Sequence, residues 1–182
     1  GLDLLANVLN RLIQKEDLSF ILLGNGDPKL ENAYSELARQ RPDCFAAVIG
    51  FDGTLARRLF GGGDFLVMPS RFEPCGLTQL YAMRYGAIPI VRKTGGLADT
   101  ITPWCSGSTD STGISFEEKG EWGLFLAMEQ ALRVFPSAMD ALRRSGMSRD
   151  SSWGASAEAY AQTYSWAMEA QNETARKPRK KD

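Results

Sequence analysis

The residues best suited to chemistry lie in a turn that joins an apolar run to a helix-like segment. The run is Phe65-Leu66-Val67-Met68, the segment spans residues 78–85, and the turn between them carries one carboxylate, Glu73. A strand that ends in a Pro/Gly turn and opens into a helix points backbone N–H groups beyond its carboxyl end, where they suit an anion such as a pyrophosphate. The sequence therefore predicts an anion-binding turn beside a carboxylate.

A second turn of the same design follows the next apolar run. Residues 88–91 lead into Arg92-Lys93-Thr94-Gly95-Gly96-Leu97, which again places small residues and cations at a strand end. Because parallel strands end at the same edge of a sheet, we expect the two turns to share one crevice.

The composition excludes several kinds of catalytic site. The chain contains no histidine and no Asp-x-Asp pair. Catalysis by a histidine base is therefore excluded within this chain, as is the Ser-His-Asp arrangement. A Mg²⁺ site needs carboxylates placed beside the phosphates, so we expect no metal and no other cofactor. Carboxylates, backbone dipoles or groups from another chain must supply any catalysis.

Size, charge and cysteine content narrow the class of protein. The 182 residues are 43% hydrophobic, with a formal net charge of −1 and a pI of about 5.6. A chain of this length and hydrophobic content can form one core. Its charge and composition predict neither nucleic acid nor a membrane as partner. Three cysteines without metal-ligand spacing favour free thiols in a reducing compartment. We expect a cytoplasmic protein, or a stromal one if the source is a plant or alga.

The order of elements predicts an α/β fold. Apolar runs near residues 19–23, 45–49, 65–68, 88–91 and 114–116 alternate with helical patterns, which is typical of a doubly wound parallel sheet. Beyond residue 116 the pattern predicts three helices whose aromatic and methionine stripes pack in the core. The first of these stripes contains Trp122 and Phe135, the second Leu142 and Met147, and the third Trp153 and Tyr164. We expect one domain over residues 1–170 and a basic, disordered tail over residues 171–182.

The start of the chain does not follow the usual order. A doubly wound sheet normally begins with a strand, but Gly1-Leu2-Asp3-Leu4-Leu5 is typical of a helix start. The sequence therefore predicts that a first strand is absent and that the segment comes from a longer protein.

Several motifs together resemble a known family. They are Gly1-Leu2-Asp3-Leu4, Ile49-Gly50-Phe51, the run from Pro69 to Tyr81, Tyr85-Gly86, and Lys93-Thr94-Gly95-Gly96-Leu97-Ala98-Asp99-Thr100. In order and spacing they resemble the carboxyl-terminal half of bacterial glycogen synthases and plant starch synthases, from Gly1 to about Ala167. The resemblance implies a GT-B fold, of which this chain is the Rossmann-like, donor-nucleotide domain. It also implies retaining transfer of glucose from ADP-glucose to the non-reducing end of an α-1,4-glucan.

The resemblance also implies roles for residues in the first turn. Glu73 would lie at the donor ribose and sugar as the catalytic carboxylate, although an acid there could instead complement the helix dipole. Gly76, Leu77 and Thr78 would present N–H groups and a hydroxyl to the diphosphate and glucose, or would only start a helix. Cys75 resembles the family's active-site cysteine, and a buried packing thiol is the alternative.

The remaining candidate residues lie at other strand ends. Phe51 stands where the family often has Tyr, and its ring could stack on adenine or fill the core. The resemblance places Lys93, Thr94, Gly95 and Gly96 along the sugar side of the crevice, where two glycines permit close backbone approach. A plain turn is the alternative. Gly24, in Gly24-Asn25-Gly26-Asp27, fits a binding loop and an ordinary turn equally well.

The sequence departs from the wider transferase pattern at one position and lacks several of the family's site residues. Many retaining GT-B transferases have a second Glu eight positions after the first, but Tyr81 stands there, as in glycogen synthases. The family's diphosphate-binding Arg and Lys precede the Gly-Leu-Asp motif, and its His lies in the amino-terminal domain, so this chain contains none of them. We expect an inactive fragment that pairs with that missing domain. Another nucleotide-sugar transferase or a non-catalytic nucleotide-binding module remain alternatives.

Overall fold

The computed structural model describes residues 1–13 and 17–176. They divide into two compact units, Gly1–Ser148 and Arg149–Asp182 as far as the latter is described. The elements are α1 (Leu2–Leu12), β1 (Phe20–Gly24), α2 (Pro28–Gln40), β2 (Phe45–Ile49), α3 (Gly53–Gly62), β3 (Phe65–Met68), α4 (Thr78–Tyr85), β4 (Ile88–Arg92), α5 (Gly95–Thr100), β5 (Ile114–Phe116), α6 (Glu121–Ser148) and α7 (Trp153–Arg176).

All strand pairs are parallel, as the alternation of strands and helices predicts. β1 pairs with β2, and β4 lies between β3 and β5. The pairing aligns Val67 with Ile90 and Ile90 with Ile114. Every residue of the central strand β4 is buried. The α/β class, the parallel strands and the helices at the carboxyl end confirm the predicted fold class.

The sheet around β4 is covered on both faces. Because strand side chains alternate, Ile88 and Ile90 point to one face and Val91 to the other. The first face joins the larger core, to which α1, α2 and α6 contribute buried side chains such as Leu9, Tyr34 and Leu124. The second face joins a smaller core of Met83, Val91, Leu97 and Ile101, with Met68 and Leu80 packed against it. That smaller core fixes α4 and α5, the helices that follow the two predicted turns.

A gap separates the two sheets, which differs from the single sheet that was predicted. β1–β2 and β3–β4–β5 are not hydrogen-bonded to each other, and a cavity of about 1060 Å³ lies between β1 and β3. Its lining includes Phe20–Gly24, Phe65–Val67 and side chains of α6 such as Met128 and Phe135. Ile21, an apolar side chain of β1, is 51% exposed. The gap therefore leaves an apolar side chain of β1 partly uncovered.

One helix differs from its prediction because tertiary packing outweighs local signals. The glycines of the second predicted turn begin the short helix α5, whose Leu97 is fully buried, as a turn that opens into a helix requires. α6 is one continuous helix, where two were predicted, although Pro136 lies inside it. Proline normally breaks or kinks a helix. Val134 and Met139, on either side of it, are both buried in the larger core, so one surface holds both halves of α6.

The second unit differs from its prediction as well. Trp153 is 83% exposed and Tyr164 is 64% exposed, so the prediction that the α7 stripe lies in the core is wrong. α7 continues to Arg176, and residues 171–176 of the predicted tail are therefore helical. The rest of that tail, residues 177–182, lies outside the described residues.

None of the helices in the described part of the chain is both long and apolar enough to span a membrane.

Candidate functional site

The turns after β3 and β4 touch each other. We call residues 69–77 the first turn and residues 93–96 the second turn. Gly96 N–H donates to the Glu73 carbonyl at 3.1 Å. A Cβ at Gly95 would lie 2.0 Å from the Glu73 carbonyl oxygen, and one at Gly96 would lie 2.0 Å from that of Cys75. The close approach that the glycines permit is therefore between the two turns.

The helices that start at these turns lack the side-chain caps found on neighbouring helices. Asp27 accepts from Lys29 N–H at the start of α2, and Asp52 accepts from Thr54 and Leu55 N–H at the start of α3. α4 and α5 have no side-chain cap hydrogen bond. The first N–H groups of a helix have no partner within the helix and favour an anion. The start of α4 therefore offers the predicted donors.

Side chains of the first turn are open to a ligand. Glu73 is half-buried, while Cys75, Leu77 and Thr78 are exposed. Because Cys75 is exposed, its thiol is not a packing group in the core, and its Sγ lies 3.7 Å from the Gly76 carbonyl oxygen. Gly76 has a φ of +73°, which favours glycine and sets the path of the chain into α4.

The second turn carries a cation that is already paired. Lys93 Nζ donates to Glu117 Oε1 at 2.9 Å, and both side chains are exposed. This hydrogen bond lowers the pKa of Glu117. Lys93 therefore stands beside the crevice with its charge shared by a surface carboxylate.

Arg92 is a structural residue of the site that the sequence did not single out. Its side chain is only 6% exposed, Nε donates to the Ser70 carbonyl at 2.7 Å, and an Nη group donates to the Arg71 carbonyl. A buried guanidinium needs such partners because unpaired charge is costly away from water. The end of β4 thus holds the start of the first turn, and the signal in the sequence was a cation at the end of an apolar strand.

Two candidate residues lie at the ends of the other sheet. Phe51 follows β2 and is 94% exposed, which excludes the alternative that it fills the core. Gly24 ends β1, and its carbonyl accepts from Gly50 N–H at 2.9 Å. Gly24 and Thr78 both line the gap between the sheets. The structure therefore joins the two turns directly, and the gap separates them from Gly24 and Phe51.

An ion pair fixes the first turn to α1. Arg71 Nη1 and Nη2 donate to the two carboxylate oxygens of Asp3, each at 2.6 Å. Hydrogen bonding to Arg71 holds the pKa of Asp3 well below its ordinary value. Both side chains are about half exposed, so solvent screens the pair.

We expect Asp3→Asn to lower the free energy of unfolding by less than about 1 kcal/mol at neutral pH. The folded-state pKa of Asp3 is depressed, so the pair stabilises the fold above the unfolded-state pKa and loses that effect as the pH falls. Urea unfolding at pH 7 and near pH 3 measures this, and the difference between variant and wild type should shrink at the lower pH. Asp140→Asn, at an exposed carboxylate of α6, is the control. A difference independent of pH would contradict the assignment.

Comparison with known proteins places the chain in one family. The profile of the family described as "Glycosyl transferases group 1" matches residues 1–133. Glycogen synthase from Anaeromyxobacter sp. (strain Fw109-5) is 46% identical over 166 residues, which are 90% of this chain and 34% of that protein. The chain thus spans about a third of the length of the curated relative.

Solved structures agree with this result. The catalytic domain of Starch Synthase IV from Arabidopsis thaliana, bound to ADP and acarbose, has a TM-score of 0.80 and 32% identity, and the match covers 91% of this chain and 35% of that one. Sucrose-phosphate synthase from Thermosynechococcus elongatus has a TM-score of 0.69 over 93% of this chain and 43% of that one. Its 23% identity shows a shared fold alone.

These similarities confirm the predicted resemblance to glycogen and starch synthases and the GT-B type of the fold. The chain therefore belongs to the group 1 glycosyl transferases, and it is similar to one domain of the glycogen and starch synthases.

Proposed function

We propose that the chain is the donor-nucleotide domain of a glycogen or starch synthase. The whole enzyme would transfer glucose from ADP-glucose to the non-reducing end of an α-1,4-glucan with retention. One observation carries the proposal: the turn that contains Glu73 leads into the uncapped start of α4 and is in backbone contact with the second turn. An anionic diphosphate suits the N–H groups, and the sugar hydroxyls suit the carboxylate.

The proposed roles follow from what each group can do. N–H groups of Gly76, Leu77 and Thr78 would stabilise the diphosphate leaving group as its negative charge develops. Glu73 would accept hydroxyl hydrogen bonds and stabilise the positive charge that develops on the sugar. Thr94, with Gly95 and Gly96, would line the sugar side of the same crevice, next to the paired Lys93.

The choice of nucleotide rests on two supports. The Arabidopsis starch synthase structure contains ADP, which favours an adenine nucleotide here. The exposed Phe51 ring offers a face on which adenine can stack, and it lies at the end of β2, where Gly24 ends the adjacent strand.

The similarity to a bacterial relative favours a cytoplasmic location over a plastid stroma.

Glucan synthesis by the full-length protein tests the function. We expect labelled glucose to enter α-1,4-glucan from ADP-glucose and much less from UDP-glucose. The 182-residue chain alone should bind ADP weakly and extend no glucan, because fewer contacts offset the fixed cost of association. Preference for another nucleotide sugar would favour a different transferase. The absence of any transfer would favour a non-catalytic nucleotide-binding module.

Labelling of Cys75 tests its proposed place at the donor site. Cys75 and Cys105 are both exposed, and Cys44 is half-buried. In the full-length protein we expect a thiol reagent to modify Cys75 in the empty site and to react at least about tenfold more slowly with saturating ADP-glucose, since bound sugar blocks access. Mass spectrometry of the labelled peptides measures this, and Cys105 is the matched exposed control. Equal labelling of Cys75 in both states would remove it from the donor site.

We also propose that a further strand fills the gap between β1 and β3. Both facing strands are apolar, and a parallel strand between them would bond to both edges. Gly1 packs against Pro69, the residue that follows β3, so a strand leading into Gly1 would run alongside β3. A polypeptide segment before Gly1 is therefore the proposed occupant. That segment would bring the family's Arg and Lys to the crevice, and the amino-terminal domain would precede it.

Hydrogen exchange tests the proposed strand. In the full-length protein we expect slower amide exchange in Phe20–Gly24 and Phe65–Met68 than in the 182-residue chain, because hydrogen bonds would close both edges. The amides of β4, which already has two neighbours, should change least. Equal exchange of β1 and β3 in both polypeptides would exclude a strand in the gap.

A further inference from the structure

Gln79 is a fully buried polar residue directly beneath the first turn. It is the second residue of α4, and none of its surface is exposed. Its Nε2 lies 3.1 Å from the Cys75 carbonyl oxygen and 2.9 Å from that of Gly76. Burial of an amide is favourable only when its polar groups are paired, so these bonds fix the side chain beneath the turn.

Thr100 extends the contact to the second turn. Gln79 Nε2 also donates to Thr100 Oγ1 at 3.1 Å, and that hydroxyl donates to the Gly96 carbonyl at 2.5 Å. A single amide thus links carbonyls of both turns through one hydroxyl. This link is additional to the bond from Gly96 N–H to the Glu73 carbonyl.

Because each peptide group is planar, these hydrogen bonds also determine the direction of the N–H groups in the same peptides. In a trans peptide the C=O and the following N–H point in opposite directions, and the structure has no cis peptide among its described residues. The carbonyls of Cys75 and Gly76 point inward to Gln79. The N–H groups of Gly76 and Leu77 therefore point outward, away from the buried amide.

The orientation of the Gln79 amide is itself determined. Nε2 faces three acceptor atoms, so exchanging it with Oε1 would place acceptor against acceptor. In the present orientation Oε1 is buried without a hydrogen-bond partner among the described residues. An unpaired buried acceptor lowers stability. The arrangement thus orients the two turn carbonyls but lowers the stability of the fold.

We infer that Gln79 and Thr100 are positioning residues that aim the Gly76 and Leu77 N–H groups at the phosphates of a nucleotide diphosphate. Neither side chain touches the ligand. The inference rests on the proposed donor site and adds the residues that preorganise it. Preorganised donors bind a charged group without the cost of reorienting at the moment of binding.

The test compares Thr100→Val with Thr100→Ser in the full-length protein. Valine keeps the shape and removes the hydroxyl, whereas serine keeps the hydroxyl. We expect Thr100→Val to weaken ADP binding by about tenfold in calorimetric titration, because roughly one hydrogen bond is lost. Thr100→Ser should bind ADP within about twofold of wild type. Gln79→Leu should weaken ADP binding at least as much as Thr100→Val.

Adenosine separates positioning from general loss of structure. It lacks phosphates, so its affinity, measured by competition, should be unchanged in Thr100→Val. If Thr100→Val weakens ADP and adenosine by the same factor, or weakens neither, the positioning role is wrong. Wild-type protein that fails to bind ADP would instead overturn the proposed function. The positioning role and the proposed function are both supported if wild type binds ADP, Thr100→Val loses affinity for ADP but not for adenosine, and Thr100→Ser keeps its affinity for ADP.

Discussion

Glu73→Gln in the full-length enzyme is expected to lower kcat by about 10- to 100-fold. Glutamine keeps the shape of the side chain but loses the charge that would accept donor hydroxyls and stabilise the developing positive charge. A hydrogen bond to a charged group contributes roughly 1.5–3 kcal/mol, which corresponds to that range of rates. Initial rates of glucan extension at saturating ADP-glucose measure it.

The variant should remain folded because the structural contact of Glu73 uses its backbone. The Glu73 carbonyl, which the substitution keeps, accepts from Gly96 N–H. We expect the free energy of unfolding to change by no more than about 0.5 kcal/mol. Glu36→Gln, at an exposed carboxylate of α2, is the control and should leave kcat unchanged. Turnover of Glu73→Gln equal to that of this control would sink the catalytic assignment.

Gly96→Ala is expected to be among the most destabilising single substitutions in the site. The new Cβ would lie 2.0 Å from the Cys75 carbonyl oxygen and 2.5 Å from its carbonyl carbon. Both are backbone atoms, so the first turn must move, and overpacking of this kind costs about 1–3 kcal/mol or more. We expect a loss of about 3 kcal/mol in urea unfolding, together with weaker ADP binding as the turn shifts.

Gly62→Ala is the matched control for that prediction. Gly62 ends α3, and a Cβ there would meet no atom within 4 Å. We expect its effect on the free energy of unfolding to stay within about 0.5 kcal/mol. If Gly96→Ala is as stable as Gly62→Ala and binds ADP normally, the two turns are not held by the contact between them.

Most elements of the fold were predictable because their signals are local. The apolar runs marked β1 to β4 within a residue or two. The wrong expectations concern elements that distant contacts decide. Two separate helices were expected over the region of α6, but the larger core packs against both halves of a single helix. The α7 stripe predicted a core helix, but a periodic pattern does not say what covers it.

The candidate site was predictable in part for the same reason. The first turn was recognisable from Glu73, Cys75 and Gly76, since a strand, a turn and a helix follow one another along the chain. Gln79 and Thr100 were not, because their role depends on atoms 21 residues apart meeting through one hydrogen bond. The contact partners of the two glycines were also hidden, because glycine in a sequence does not reveal which atom approaches it.

The sequence by itself determined the kinds of groups available: one turn carboxylate, glycine-rich helix starts and no histidine. It also determined the α/β order of elements, because periodicity and turn residues act over a few positions. Only the tertiary structure decided that the two turns meet, that Arg92 holds the first turn, and that Gln79 links both. Those contacts join residues of different strands and helices, and packing around β4 brings them together.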